Sequence, residues 1–325
     1  MAVLVVGGAG YIGSHAARAL RRAGYQVIIY DNLSTGFRRL TEGFELVQGD
    51  IGDQSNLRHV LSRVDSIMHF AAHCYVGESV TNPRKYFRNN LADALILLNS
   101  AVDADIRHFV FSSTCAVYGV PEKVPITEQN PREPINPYGA TKLAFEHALE
   151  AYDHAYHLRS ARLRYFNAAG ADESSEIGEL HDPETHLIPL ALQASLPGGP
   201  ELNVFGSDYP TPDGTCLRDY IHVNDLADAH VRALQHLEQS GESVALNLGT
   251  GKGNSVLEVI HAAEAATGQS VRRKIGPRRP GDPPVLVADA SKAKQVLGWT
   301  AQRGLTEIVN SAWNFMRKNP SQKQK

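Results

Sequence analysis

The chain has 325 residues, 42% hydrophobic and 21% charged, enough for a substantial core in one large domain or two. A formal net charge of −3 gives no long-range attraction to nucleic acid or to an anionic membrane. Three scattered cysteines (Cys74, Cys115, Cys216), none in a CxxC pair, exclude a disulfide framework and fit a reducing cytoplasm.

Met1 to Val6 runs straight into glycines with neither a basic start nor a cleavage site, so it reads as a strand and not as a signal peptide. No apolar run approaches the roughly 18 residues of a membrane helix, and a soluble cytoplasmic protein is expected. Residues 2–6 suit a strand buried on both faces of a parallel sheet. Helical spacing follows over 13–23 and stops at Gly24. Further strands are expected at 26–30, 45–48, 66–70, 108–112, 161–165 and 244–248, with helices at 83–102 and 140–157. This alternation predicts an α/β fold, a doubly wound parallel sheet of Rossmann type with ligands at the carboxyl ends of its strands. From about residue 167 prolines and glycines become dense (196–200, 209–214, 277–284). A smaller C-terminal substrate-binding domain is expected there, built from 167–221 and 249–325, with 1–166 and 222–248 forming the dinucleotide domain. The basic tail, 317–325, reads as a solvated, frayed terminus.

Gly8-x-Gly10-x-x-Gly13, within Gly7-Gly8-Ala9-Gly10-Tyr11-Ile12-Gly13, lies between a strand and a helix. That context suits a turn whose amides approach a pyrophosphate at the positive helix end. Strand two ends at Asp31, where a carboxylate would bond the adenosine ribose hydroxyls and repel a 2′-phosphate, favouring NAD over NADP. Arg38 and Arg39 are the contrary signal. Gly49-Asp50-Ile51 is placed to frame adenine, although Asp50 alone reads equally well as a helix cap. A second glycine cluster, 249–255, lacks the GxxxxGK[ST] order and reads as a strand-to-helix turn with Ser255 near the helix start.

Phe111-Ser112-Ser113-Thr114 ends a strand, where the nicotinamide should lie. Chemistry at an alcohol carbon needs a base, a hydride acceptor and a hydroxyl that holds the oxygen. Tyr138 and Lys142, four apart, share a helix face, so the ammonium can favour the phenolate. Tyr138 is the expected base, Lys142 tunes it, and Thr114 or a neighbouring serine positions the oxygen. A backbone-bonded strand end for Thr114 and an exposed helical pair for Tyr138 and Lys142 are the plainer readings. His154 and His157 lack a third ligand at suitable spacing, so no metal site is expected. His73, Cys74 and Tyr75 should line the cleft.

These residues, with Asp31 to Gly36, His69 to Ala72, Val76 to Val80, Leu163 to Asn167 and Arg279 with Gly281-Asp282, resemble the UDP-glucose 4-epimerases of the extended short-chain dehydrogenase/reductase family. Most specific is 208–215 followed by Arg218-Asp219-Tyr220-Ile221-His222. The resemblance spans nearly the whole chain. It implies NAD-dependent interconversion of UDP-glucose and UDP-galactose through a transient 4-keto sugar, in a homodimer. It places cofactor contacts at Gly7, Gly10, Tyr11, Ile12, Gly13, Asp31, Asn32, Ser34, Thr35, Gly36, Asp50 and Ile51. Others fall at Phe70, Ala71, Ala72, Asn89, Asn90, Ser112, Tyr138, Lys142, Tyr165 and Phe166. It places the nucleotide sugar at Thr114, Tyr138, Asn167, His186, Leu187, Asn203, Val204, Phe205, Arg218, Arg279 and Asp282, with the two arginines on the diphosphate.

The chain departs from many relatives at His186 (asparagine) and from some at Cys74 (lysine). By the resemblance Leu286 falls beside the sugar's C2 substituent, where it is expected to narrow the pocket against N-acetylated sugars. A 4,6-dehydratase, the nearest other enzyme, needs Asp-Glu after the threonine, where this chain has Cys115-Ala116. A simple alcohol dehydrogenase leaves the C-terminal diphosphate features unexplained, and an NAD-sensing binding protein leaves the complete Thr114, Tyr138 and Lys142 set unexplained.

Overall fold

The structure, a computed structural model, describes residues 1–279 and 282–319. Gly281 of the family match and residues 320–325 of the expected tail lie outside the described residues. β1 (Ala2–Val6) leads through glycines into α1 (Tyr11–Arg22), which starts two residues earlier than its spacing suggests because Gly10 already stands at the N-cap. Next come β2 (Gln26–Asp31), β3 (Glu45–Gln48) and α2 (Gln54–Leu61). The cap of α2 is Asp53, whose carboxylate accepts the Ser55 and Asn56 amides, so Asp50 is not the helix cap that one reading allowed.

β4 (Ser66–His69) is followed by α3 (Val76–Thr81). The helix expected over 83–102 is divided into α4 (Pro83–Phe87), a π-helical turn over Arg88–Asp93, and α5 (Ala94–Asp103). Within that turn Asn90 is drawn to the His73 backbone, accepting from its N–H and donating to its carbonyl, each at 2.9 Å. Such turns collect at functional sites. β5 (His108–Thr114) precedes α6 (Pro137–Tyr156), which Asn136 caps through the Gly139 amide, with proline at N1. β6 (Arg159–Tyr165) follows.

The rest of the chain is more regular than its glycines and prolines suggest. It runs β7 (Asn167–Ala169), α7 (Leu187–Ser195), β8 (Leu202–Phe205), β9 (Leu217–His222), α8 (Val223–Ser240), β10 (Val244–Leu248), β11 (Gly253–Ser255), α9 (Val256–Thr267), β12 (Arg273–Gly276), β13 (Val285–Leu286), α10 (Ser291–Leu297) and α11 (Leu305–Lys318). Ser255 caps α9 in a reciprocal capping box with Glu258.

Seven parallel strands form one sheet in the order β10-β6-β5-β4-β1-β2-β3. Alternate residues of each strand serve opposite layers. Val3 and Val5 pack with α1, α8, α10 and Trp299, whereas Leu4 and Val6 pack with α2, α5 and α6. A third core joins α7, α9 and α11 to β8. β9 organises a small mixed sheet with β7, β11 and β13, and β12 pairs with β8. Among the described residues no helix is long and apolar enough to cross a membrane.

Candidate active site

The order of the sheet reverses at β1, which has β2 on one side and β4 on the other. Ligands of such sheets bind in the crevice opening there. The turn leaving β1 admits no side chain at two positions. Gly7 has φ +82°, and a Cβ on it would lie 2.5 Å from the Ala71 amide nitrogen; one on Gly13 would lie 2.2 Å from the Gly7 carbonyl oxygen. No side chain caps α1, so its first amides, at Tyr11, Ile12 and Gly13, stand open to an anion. The Tyr11 ring points elsewhere, its phenol donating to the Gly170 carbonyl at 2.6 Å. Gly10, Phe70, Ala71 and Ala72 edge the same crevice, with the Phe70 and Ala71 amides both on the Val6 carbonyl.

Asp31 ends β2 almost fully buried, and its carboxylate accepts the Ala9 amide at 3.0 Å and the Leu33 amide at 2.8 Å. Burial raises its pKa, opposed by these two amides. Each oxygen retains acceptor capacity for a ribose hydroxyl. Asn32 donates to the Asp50 carboxylate at 2.9 Å, Ser34 and Thr35 are exposed, Gly36 packs on Ala9, and Ile51 is buried. The glycine cradle, the uncapped helix and the anchored carboxylate together fit a dinucleotide of the NAD type. The 249–251 turn holds no such site, because the Asp219 carboxylate already accepts the Thr250 and Gly251 amides.

The carboxyl end of β5 meets α6 beside this crevice. Lys142 is 3% exposed, donates from Nζ to the Ser112 carbonyl at 2.9 Å and lies over the Phe111 ring. Burial lowers its pKa to about 8. Tyr138 differs from expectation: burial pushes its phenol well up, and the group that works the other way is the Thr114 hydroxyl, through a hydrogen bond. Lys142, whose Nζ donates to the Ser112 carbonyl, is not among the groups that lower it. Ser112 Oγ is hydrogen-bonded to the Tyr165 hydroxyl, and Phe166 packs against Val117, Tyr118 and Leu143. Cys74 is exposed and directly follows His73, whose backbone Asn90 holds. Asn89 donates to Asn90, which in turn clamps His73 and reaches the Thr141 hydroxyl.

Behind this end of β5 lies a polar truss that spacing did not reveal. Arg164 on β6 meets Glu146 on α6 through Nε at 2.9 Å and Nη2 at 2.5 Å, with side-chain exposures of 3% and 0%. Ser113, beside Thr114, donates to the same carboxylate at 2.5 Å. Arg164 also donates to the Tyr118 hydroxyl, which donates to Asn247. Strand end and helix are thereby locked together.

Across the cleft, Arg218 on β9 donates to its neighbour's carbonyl and stands 3.5 Å from Asp282. Arg279 lies 4.2 Å over the Phe205 ring, and both are exposed. Asn203 shares that exposed face of β8, but the Val204 side chain points into the core, so a ligand could meet only its backbone. Asn167 opens β7 opposite Tyr220. Leu286 pairs with Arg218 and, with Cys115, packs on the Val117–Tyr118 cluster. His186 and Leu187 begin α7, and His186 Nδ1 is 2.5 Å from Glu179. Glu179 and its neighbours His181 and Glu184 were not singled out in the sequence, although they stand in the spaced pattern E-x-H-x-x-E-x-H over 179–186.

The profile of the NAD dependent epimerase/dehydratase family matches residues 3–249. The chain belongs to this family. Among curated relatives, it is 53% identical to the UDP-glucose 4-epimerase of Rhizobium meliloti (strain 1021), covering 96% of each protein. Among solved structures, that of UDP-glucose 4-epimerase from Brucella ovis in complex with NAD superposes with a TM-score of 0.94 at 49% identity, covering 96% of this chain and 97% of that one. The Bifidobacterium longum UDP-glucose 4-epimerase in complex with NAD+ and UDP also reaches 0.94, at 39% identity over 99% and 100% of the two chains.

Proposed function

We propose that this family member interconverts UDP-glucose and UDP-galactose by inverting C4 of the sugar, using NAD. What supports the reading is that Lys142 is held on the Ser112 carbonyl at the carboxyl end of β5, with Tyr138 on the same helix and Thr114 ending that strand, in the sheet whose β1 opens into the Gly7 turn. When bound, NAD supplies the acceptor and donor of the C4 hydride. Gly7 to Gly13 would receive its pyrophosphate and Asp31 its adenosine ribose, while Ser112, Tyr165 and Phe166 would border the nicotinamide end. Thr114 would hold the sugar 4-hydroxyl, and Tyr138 would take that proton and return it once the transient 4-keto sugar has turned over. A buried phenol resists ionising, so a nearby cation must favour the phenolate; Lys142, on the same face of α6, is the cation that the fold supplies. Arg218 and Arg279 would grip the diphosphate, with Phe205 and Asn203 toward the base. The dinucleotide part would comprise 1–166 and 222–248, the nucleotide-sugar part 167–221 and 249–325, in a cytoplasmic homodimer.

Purified protein incubated with UDP-galactose and no added NAD tests this, followed by proton NMR of the anomeric signals. An equilibrium mixture with UDP-glucose is expected, the cofactor arriving bound. No conversion even after NAD is added would refute the substrate assignment.

A further inference from the structure

Glu179, His181, Glu184 and His186 fall on one loop between β7 and α7, and their four ligand atoms lie within 4.8 Å of one another. The Nδ1 atoms of both imidazoles point at the carboxylates. His181 Nδ1 lies 3.2 Å from Glu179 Oε1 and 3.6 Å from Glu184 Oε2, while His186 Nδ1 lies 2.5 Å from Glu179 Oε1 and 3.5 Å from Glu184 Oε1. Both carboxylates are largely withdrawn from water, at 6% and 10% side-chain exposure. His181 Nδ1 is itself buried and, though 3.2 Å from Glu179 Oε1, is not aligned to hydrogen-bond it, and a buried polar atom left so calls for an explanation.

A tetrahedral ion with bonds of 2.0–2.2 Å to nitrogen and oxygen separates its ligand atoms by about 3.3 Å. His181 Nδ1 and Glu179 Oε1, 3.2 Å apart, already match that value, and each imidazole has a Glu184 oxygen within 3.6 Å; the His186–Glu179 pair must open. We propose that these four side chains form a binding site for one divalent transition-metal ion of the zinc type. Two imidazole nitrogens disfavour Mg2+ and Ca2+, which take oxygen ligands, and a closed N2O2 set suits Zn2+ or its neighbours. With all four positions supplied by protein, the ion is structural and not a Lewis acid for substrate. Its two positive charges balance the two buried carboxylates. The rest of the loop is braced for the purpose: an Ala171–Gly178 bridge closes its base, Tyr75 donates to the Pro183 carbonyl at 3.2 Å, and the Tyr11 and Tyr75 rings stand edge-on to the His181 ring. The ion would fix the start of α7 against the residue that opens α1.

The test uses the full chain without a polyhistidine tag, stripped with a chelator and titrated with Zn2+ against a chromophoric competitor. One equivalent per chain is expected. His181→Gln and Glu184→Gln should each weaken binding by more than the 10- to 100-fold typical of lost outer-shell partners, whereas His154→Gln/His157→Gln, at the far end of α6, should bind as wild type. Co2+ in place of Zn2+ should give the strong visible absorption of four-coordinate cobalt, which decides the matter in the wild type should a variant fail to fold. Substoichiometric binding by wild type, or undiminished binding by a folded His181→Gln or Glu184→Gln protein, would overturn the site, and neither result depends on epimerase turnover.

Discussion

Replacing Glu146 by Gln keeps the shape of the truss behind Thr114 and removes the charge that neutralises Arg164. The guanidinium is 3% exposed and would be left with the Tyr118 hydroxyl at 2.8 Å as its main acceptor. Two charge-assisted bonds, at about 1.5–3 kcal/mol each, are weakened. Breaking one side of a buried ion pair costs about 3–5 kcal/mol. Because the amide oxygen still accepts one bond, the expected loss is near the lower figure, about 3 kcal/mol. In urea, with a slope of about 3 kcal/mol per molar, the midpoint should fall by about 1 M at unchanged slope. Glu146→Met with Arg164→Met removes both charges and should recover most of that loss. The pH dependence is fixed in sign. Burial opposes ionisation of Glu146, but the Arg164 bonds and charge and the Ser113 hydroxyl outweigh it and hold the folded pKa below the ordinary value. Its stabilisation is therefore complete above the unfolded pKa near 4.3 and is lost as pH falls through the folded value. Wild type should lose stability more steeply than Glu146→Gln on acidification below about pH 4. A midpoint shift under a third of that expected, or a double variant as unstable as the single one, would refute the reasoning.

Tyr138→Phe should cut turnover by about 10²–10⁴-fold with NAD content after purification unchanged; turnover within a few-fold of wild type removes Tyr138 as the base. Asp31→Ala removes the charged acceptor proposed for the ribose and should weaken NAD retention by about 10- to 100-fold, read by cofactor content after dialysis. Gly13→Ala sets a methyl against the Gly7 carbonyl and should lose bound NAD as well, whereas a cofactor-replete Gly13→Ala protein would contradict the cradle. Leu286→Ala should raise efficiency on UDP-N-acetylglucosamine relative to UDP-glucose by about 10-fold or more; an unchanged ratio means that another residue bounds the C2 substituent.

Much of the fold was legible because parallel strands and crossover helices impose their own periods. The runs at 2–6, 45–48 and 244–248 match β1, β3 and β10, and helical spacing put Tyr138 and Lys142 on one helix, α6. What spacing could not show is pairing between periods. Glu146 lies on a helix and Arg164 on a strand, each unremarkable within its own pattern, and only packing brings them together. The division of the 83–102 helix was hidden for a related reason, since Asn90 reaches out of its own element to the His73 backbone. Val204 was matched by position in a motif, but alternation along β8 turns its side chain to the core. The 179–186 pattern was visible in principle. It combines two histidines with two carboxylates, whereas His154 and His157 have no carboxylate at suitable spacing.

β13 is two residues long, yet through it Leu286 is assigned to Arg218 and Val285 to Leu217, with the Leu217 amide pinned to the Pro284 carbonyl at 2.9 Å. A slip of one position along β9 would exchange Leu286 for one of the valines that flank it and turn its side chain to the opposite face. Were Leu286 to border the sugar, as the family resemblance implies, that border could thus be remodelled without any substitution at it. A single-residue deletion or insertion in the connection between β12 and β13 would be enough, so lineages of such a protein could change substrate preference through loop length while every residue of the cleft stays the same.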